Sequence, residues 1–392
     1  MRSFTSVLLL AIAITSVLGH PADLQAERDR LSSVSSQHVE RERLVQRSTS
    51  RKYSPADSNP YADWPSYSQL PLDSSYPTKA GWGVWGADDV DGALNHITNA
   101  TILSARSEIQ LGETFNLNLP LEEPSIPINP SRKPLQHLFQ PESGYTDDVV
   151  VMNTQISTQY DSLRHFPYST NTSIDTYRWY NDLIPSYEDV IGPAPTTVLG
   201  IQQAADKAIV ARGVLLDFEG WAATQNLTHD MLHTNYSITS SQLDSVAAWE
   251  GMPSDWAKPG DILFIRTGWL AQFLALDAYD QNILPYSKEA PSGGMLASAE
   301  TLEWMWEKKI AMVAADNPAF ESTPFSQTID GVPRSLHQVF IGGWGMSILE
   351  FIDMEKLAPA LHSLGRSSFF VTVCPMNIVS GIASPPNAIA II

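Results

Sequence analysis

The chain has 392 residues, 43% of them hydrophobic and 17% charged, with a formal net charge of −19. That length allows one large or two medium domains, and it suffices for a core without disulfides, which the single cysteine, Cys374, does not provide within the chain. The first 52 residues carry eight Lys/Arg against five Asp/Glu, so the remainder holds −22, a surplus that repels polyanions and excludes nucleic acid and anionic membranes as partners.

Arg2 precedes the apolar run Val7 to Gly19, which ends in small residues and is too short to span a membrane comfortably. Residues 1–19 therefore read as a secretory signal peptide, cleaved near Gly19, and predict a secreted protein. Residues 20–59 are polar, rich in Ser, Arg and Glu, and too poor in apolar side chains to offset the entropy of ordering, which predicts a flexible leader with a dibasic pair at Arg51 and Lys52. Sequons at Asn99, Asn171, Asn226 and Asn235 agree with a glycosylated, secreted product.

From residue 60 to 392 the pattern predicts a single domain. Strand-like runs occur at Thr114–Leu121, Asp148–Thr158, Gly213–Phe218, Asp261–Trp269, Ala311–Asp316 and Ser368–Met376. Helical segments alternate with them: one after Asn99, read as its cap, one opened by the capping-box pattern Thr239 to Gln242, and one in "SAETLEWMWEKK". This mixed order predicts an α/β domain, a sheet with helical cover. Asp217 and Asp316 each end a strand, and a structural role, capping a helix or fixing a turn, is expected for both ahead of a catalytic one. Cys374, in an apolar run, is expected to be a buried small hydrophobe.

The segment "NTQISTQYDSLRHF", Asn153 to Phe166, concentrates groups that can carry chemistry. If it is extended, Gln155, Ser157, Gln159 and Asp161 share one face while Ile156, Thr158 and Tyr160 take the other. The plain alternative is a half-exposed edge strand with a solvated polar face. Aromatic residues follow closely, at Tyr160, Phe166, Tyr168 and in Tyr177–Asp182, which suits a small aromatic or apolar substrate or simply a core.

Gln155 to His165, Q-I-S-T-Q-Y-D-S-L-R-H, resembles the motif H-x-G-T-H-x-D-x-x-x-H of the cyclase family, which includes bacterial-type kynurenine formamidase and isatin hydrolase. Thr158, Asp161 and His165 match; Gln155, Ser157 and Gln159 depart. "WGVWGADDVDGALNHIT" from Trp82, "GETFNLNLPL", "RGVLLD", "KPGDILFIRTGW", "AADNPAFES" and "SGIASPPNAIAI" are similar to other stretches of that family. The segment Leu336–Leu357 places His337 and Glu350 where the family has its later metal-binding His and Glu.

The resemblance implies a swivelling β/β/α domain, a homo-oligomer, and metal-dependent opening or closing of amides. In the family, the two motif histidines and the Asp hold the ion and the last His is the acid/base. Replacing both histidines by glutamines removes the best nitrogen ligands, which argues against a tight zinc site of the usual composition. A divalent cation, Mn, Mg or Zn, on Asp161, His337 and Glu350 stays open, and so does a site with no metal. The implied catalytic set is Asp161, His165, His337 and Glu350, with Gln155, Gln159, Tyr160 and Phe166 touching substrate. The expected function is hydrolytic ring opening of a small cyclic amide or lactone, or cyclisation of its open-chain acid. A metal-independent lyase or isomerase of specialised metabolism and a non-catalytic small-molecule binder are the rivals.

Overall fold

A computed structural model describes residues 61–141, 143–169, 176–287, 291–324, 328–329, 331 and 334–392. The expected signal peptide, leader, dibasic pair and Asn171 sequon lie outside the described residues. Trp64 to Ile392 make up one compact unit. No helix among the described residues is long and apolar enough to cross a membrane.

In chain order the strands are β1 (Thr114–Asn116), β2 (Gln136–Pro141), β3 (Thr146–Val151), β4 (Gln159–Asp161), β5 (Ile209–Asp217), β6 (Ser237–Ile238), β7 (Ile262–Arg266), β8 (Gly294–Met295), β9 (Met312–Ala315), β10 (Ile348–Glu350), β11 (Ser368–Val373), β12 (Ala383–Ser384) and β13 (Ile389–Ile391). Nine of them form one large mixed sheet in the order β1-β13-β11-β5-β7-β9-β10-β4-β12. Its centre, β5, β7, β9 and β10, is parallel, and these strands are nearly continuous runs of buried residues because both faces are covered. Val214, Leu216, Leu263 and Val313 pack on one face; Leu215, Phe264, Met312 and Leu349 pack on the other. The expected α/β class therefore holds.

Local signals acted as read at several points. Thr239 and Gln242 form the capping box of the helix Ser240–Trp249. Ser298 caps Ala299–Lys308. Asp217 caps Phe218–Thr224 through the Gly220 amide, and Asp316 accepts from the Thr267, Gly268 and Leu270 amides, fixing the turn after β7. At the first helix, Thr98 is the cap and Asn99 the first helical residue.

Three expectations are corrected. The run Asp148–Thr158 is not one strand: β3 ends at Val151, and Asn153 Oδ1 accepts the Gln155 amide at 2.9 Å, turning the chain before β4 begins at Gln159. β4 is an inner strand, antiparallel to both β10 and β12 and fully buried, not a solvated edge. Cys374 is exposed, because β11 stops at Val373 and the chain turns there, the Cys374 amide donating to the Pro386 carbonyl. Of the described sequons, Asn99 and Asn226 are exposed, whereas Asn235 Nδ2 donates to the Pro324 carbonyl.

Candidate active site

The register of two short strands builds the site. Antiparallel pairing sets Glu350 opposite Gln159 and Ile348 opposite Asp161. With side chains alternating along β4, Gln159 and Asp161 then lie on the same face as Glu350, while Tyr160 and Leu349 turn into the core behind. Thr158, the other motif match, ties this corner down: its hydroxyl donates to the Phe351 carbonyl at 2.6 Å and accepts the Leu119 amide. Arg164 is buried as an anchor, its guanidinium donating to the carbonyls of Val190, Thr196 and Val198.

His165 follows on the turn after β4, and His337 arrives from the other half of the chain, immediately before a π-helix, Gln338–Gly343. His165 Nε2 lies 3.7 Å, and His337 Nε2 3.9 Å, from Asp161 Oδ2. His337 Nε2 is also 3.0 Å from Glu350 Oε1. The Phe166 ring packs beside both imidazoles, at 5.7 and 5.3 Å between centroids. All four expected catalytic residues therefore meet, although nearly half of the chain separates Asp161 from Glu350.

The two glutamines face the carboxylates with their amide nitrogens. A carboxylate only accepts, so Gln155 Nε2 donates to Asp161 Oδ1 at 2.8 Å and Gln159 Nε2 donates to Glu350 Oε2. Gln155 Nε2 also lies 3.2 Å from His165 Nε2. Tyr160 is corrected: it is buried on the opposite face with its hydroxyl on Ser347 Oγ, so it does not reach substrate. Trp179 and Tyr180, from the aromatic cluster Tyr177–Asp182, likewise pack in the core.

Two residues escaped the sequence reading. Glu321 Oε2 accepts from His337 Nδ1 at 2.8 Å, and both side chains are buried. Arg132 Nη1 donates to the Gln155 carbonyl at 2.6 Å and to Gln159 Oε1 at 3.3 Å. Glu321 stood within the quoted "AADNPAFES" without any sign that its side chain turns inward. Arg132 sits in a loop with no periodicity to mark it.

A cavity of about 560 Å³ opens over this cluster, lined by His165, His337, Glu350, Glu321, Arg132, Gln155 and the apolar Ile128, Ile156, Phe166 and Phe351, among others. Burial pushes the Asp161 and Glu350 carboxyls upward, and the nearby Asp161 charge raises Glu350 further. Burial would lower His337, but Glu321 and Glu350 hold it well above the ordinary histidine value. Burial, with the positive His337 nearby, pushes His165 down to about 3, so its imidazole stands neutral.

Residues 82–322 match the Cyclase family. The chain belongs to the cyclase family. A crystal structure of a novel cyclase is 30% identical, with a TM-score of 0.67, over 80% of this chain and 99% of its own. Isatin hydrolase A from Ralstonia solanacearum is 15% identical, with a TM-score of 0.49, over 75% of this chain and 97% of its own. An isatin hydrolase bound to the product analogue thioisatinate is also 15% identical, with a TM-score of 0.46, over 76% of this chain and 99% of its own. No curated protein matches.

The cyclase family implies a divalent metal, and the donor atoms here suit one. Ligand atoms of Asp161, His165 and His337 all lie within 4.8 Å of one another. Among the described residues Asp161 Oδ2 is buried without a hydrogen-bond partner, and Glu350 Oε1 is buried with only His337 Nε2, at 3.0 Å, beside it. Glu321 takes His337 Nδ1, leaving Nε2 to face both carboxylates, an arrangement frequent behind metal-bound histidines. The amide nitrogens of Gln155 and Gln159 point at the carboxylates, and Gln159 Oε1 accepts from Arg132.

Proposed function

We propose that this cyclase opens a small cyclic amide or lactone by hydrolysis, or closes the corresponding acid. The observation that carries this reading is the clustering of Asp161, His165 and His337, with Glu350 against His337, beside a ligand-sized cavity. Asp161, His337 and Glu350 would hold a divalent ion. Such an ion, when bound, supplies Lewis acidity that polarises a carbonyl and acidifies water.

The remaining steps fall to side chains. His165 is the more accessible imidazole, 18% exposed against 9% for His337, and it borders the cavity. From that position, which is also that of the acid/base histidine in the family motif, it would accept the proton of the attacking group and return it to the leaving nitrogen or oxygen. Gln155 and Gln159 lock the carboxylates by donating to one oxygen of each, which leaves Asp161 Oδ2 and Glu350 Oε1 aimed inward. Phe166 and Ile156 offer an apolar wall for the ring of the substrate.

The test is turnover of a panel of cyclic imides, lactones and N-acyl amides in the presence of Mn, Zn or Mg. His165→Ala is expected to lower turnover by about two to four powers of ten with an unchanged melting temperature. A loss of under about fivefold would reassign His165 to packing beside Phe166.

A further inference from the structure

Among the described residues, Arg132 is the one lysine or arginine that lines the cavity. It is half-buried, and among the described residues only its Nη1 is engaged, by the Gln155 carbonyl and Gln159 Oε1. No carboxylate among the described residues lies within ion-pair distance of it. In a body with a net charge of −22, Arg212 pairs with Asp261, Arg266 with Asp217 and Glu355, and Arg366 with Glu108, whereas Arg164 and Arg132 donate to carbonyl oxygens, and of those two only Arg132 lines the cavity.

A guanidinium has five N–H donors in a planar fork, and one nitrogen spent on carbonyls leaves the rest of the fork for an acceptor. The cavity presents Glu321 and Glu350 on its wall and Asp161 beneath. An anionic ligand entering there meets these carboxylates, which His337 and Arg132 offset; the two nitrogens of His337 already face Glu321 and Glu350, whereas Arg132 has donors to spare. Apolar surface from Ile128, Ile156 and Phe166 lies alongside.

We propose that Arg132 seats a carboxylate, so that the ligands of this site are apolar-ring compounds carrying a carboxylate in addition to the carbonyl that reacts. The assignment rests on the cavity being the active site, as read above, and it narrows the substrate class. Gln159 couples the two ends: its Oε1 accepts from Arg132 while its Nε2 donates to Glu350, so the seated anion and the reacting centre share one rigid amide.

Benzoate and its neutral isostere benzamide serve as probes, titrated by calorimetry into wild type, Arg132→Gln and Arg132→Lys, with and without a chelator. Wild type is expected to prefer benzoate, and Arg132→Gln to lose about 10- to 100-fold in benzoate affinity while benzamide changes little. Arg132→Lys, which keeps the charge without the fork, should fall between them. If Arg132 only braces Gln155 and Gln159, the melting temperature of Arg132→Gln drops and the benzoate preference survives, which overturns the proposal. Benzoate that fails to bind wild type, binds no better than benzamide, or is lost on chelation overturns it as well. Binding is read without turnover, so an inactive protein that prefers benzoate defeats the hydrolase reading alone, and an active one with no preference defeats this assignment alone.

Discussion

His337 has two ring nitrogens, and Glu321 decides which one the site can use. With Nδ1 donating to Glu321 Oε2 at 2.8 Å, the ring orientation is fixed and Nε2 is aimed at Asp161 and Glu350. Glu321→Gln keeps the shape but removes the charge that supports the imidazole. It is expected to weaken Mn or Zn affinity by about 10- to 100-fold, read by metal titration, with smaller effects on folding. Unchanged affinity would separate Glu321 from the metal-holding role of His337. Sequence reading reached Asp161, His165, His337 and Glu350 because each stands in a recognisable string. It missed Glu321 and Arg132 because their inward aim is set by tertiary contacts 16 to 27 residues away that no local period marks, and it misplaced Tyr160 because adjacency along a strand means opposite faces.

At the scale of elements, the site is a matter of parity. The alternation expected for the motif is correct across β4, where Gln159 and Asp161 share a face, and fails before it, where the Asn153 turn breaks the extended run. β10 is only three residues long, too short to show a period of its own in the sequence. The π-helix after His337 is similarly invisible, since its wide turn arises where segments must pass close together. At Gly342 a Cβ would come within 2.4 Å of the Tyr168 amide nitrogen, whereas at Gly343 the nearest contact is 3.4 Å, to the Tyr168 ring. Gly342→Ala is therefore expected to lose about 1–3 kcal/mol in thermal or denaturant unfolding, and Gly343→Ala much less. Equal effects would mean that close approach to the Phe166–Tyr168 segment is not what the glycine serves.

For the whole molecule, pH acts through buried groups remote from the cavity. His96 lies among Trp64 and Trp85, and burial, aided by Lys309, lowers it to about 3. The unfolded chain protonates this histidine below about pH 6.5 while the folded one does not, so folding binds fewer protons and stability falls as pH drops. The slope from this residue approaches about 1.4 kcal/mol per pH unit between the two values. Glu250 works the other way: burial raises it to about 7, so between that value and the unfolded one its folded form holds the extra proton and gains stability as pH falls. The two partly cancel in the wild type. The difference between His96→Phe and wild type isolates the histidine, and chemical unfolding at pH 7, 6 and 5 should show the variant losing less stability on acidification. Parallel curves would mean that His96 takes up its proton without opening the fold.

β4 lies between strands made much later: Glu350, partner of Gln159, comes 191 residues on, and Ile382, which accepts from Ser162, comes 220 residues after it. On the ribosome, a nascent chain already carrying Asp161 and His165 has nothing to pair them with until that later stretch emerges. Closing such long loops is entropically late work for any folding chain. Chemistry thus begins only after the distant strands have docked, and a premature stop anywhere between His165 and His337 yields a chain that holds Asp161 and His165 and no means of using them.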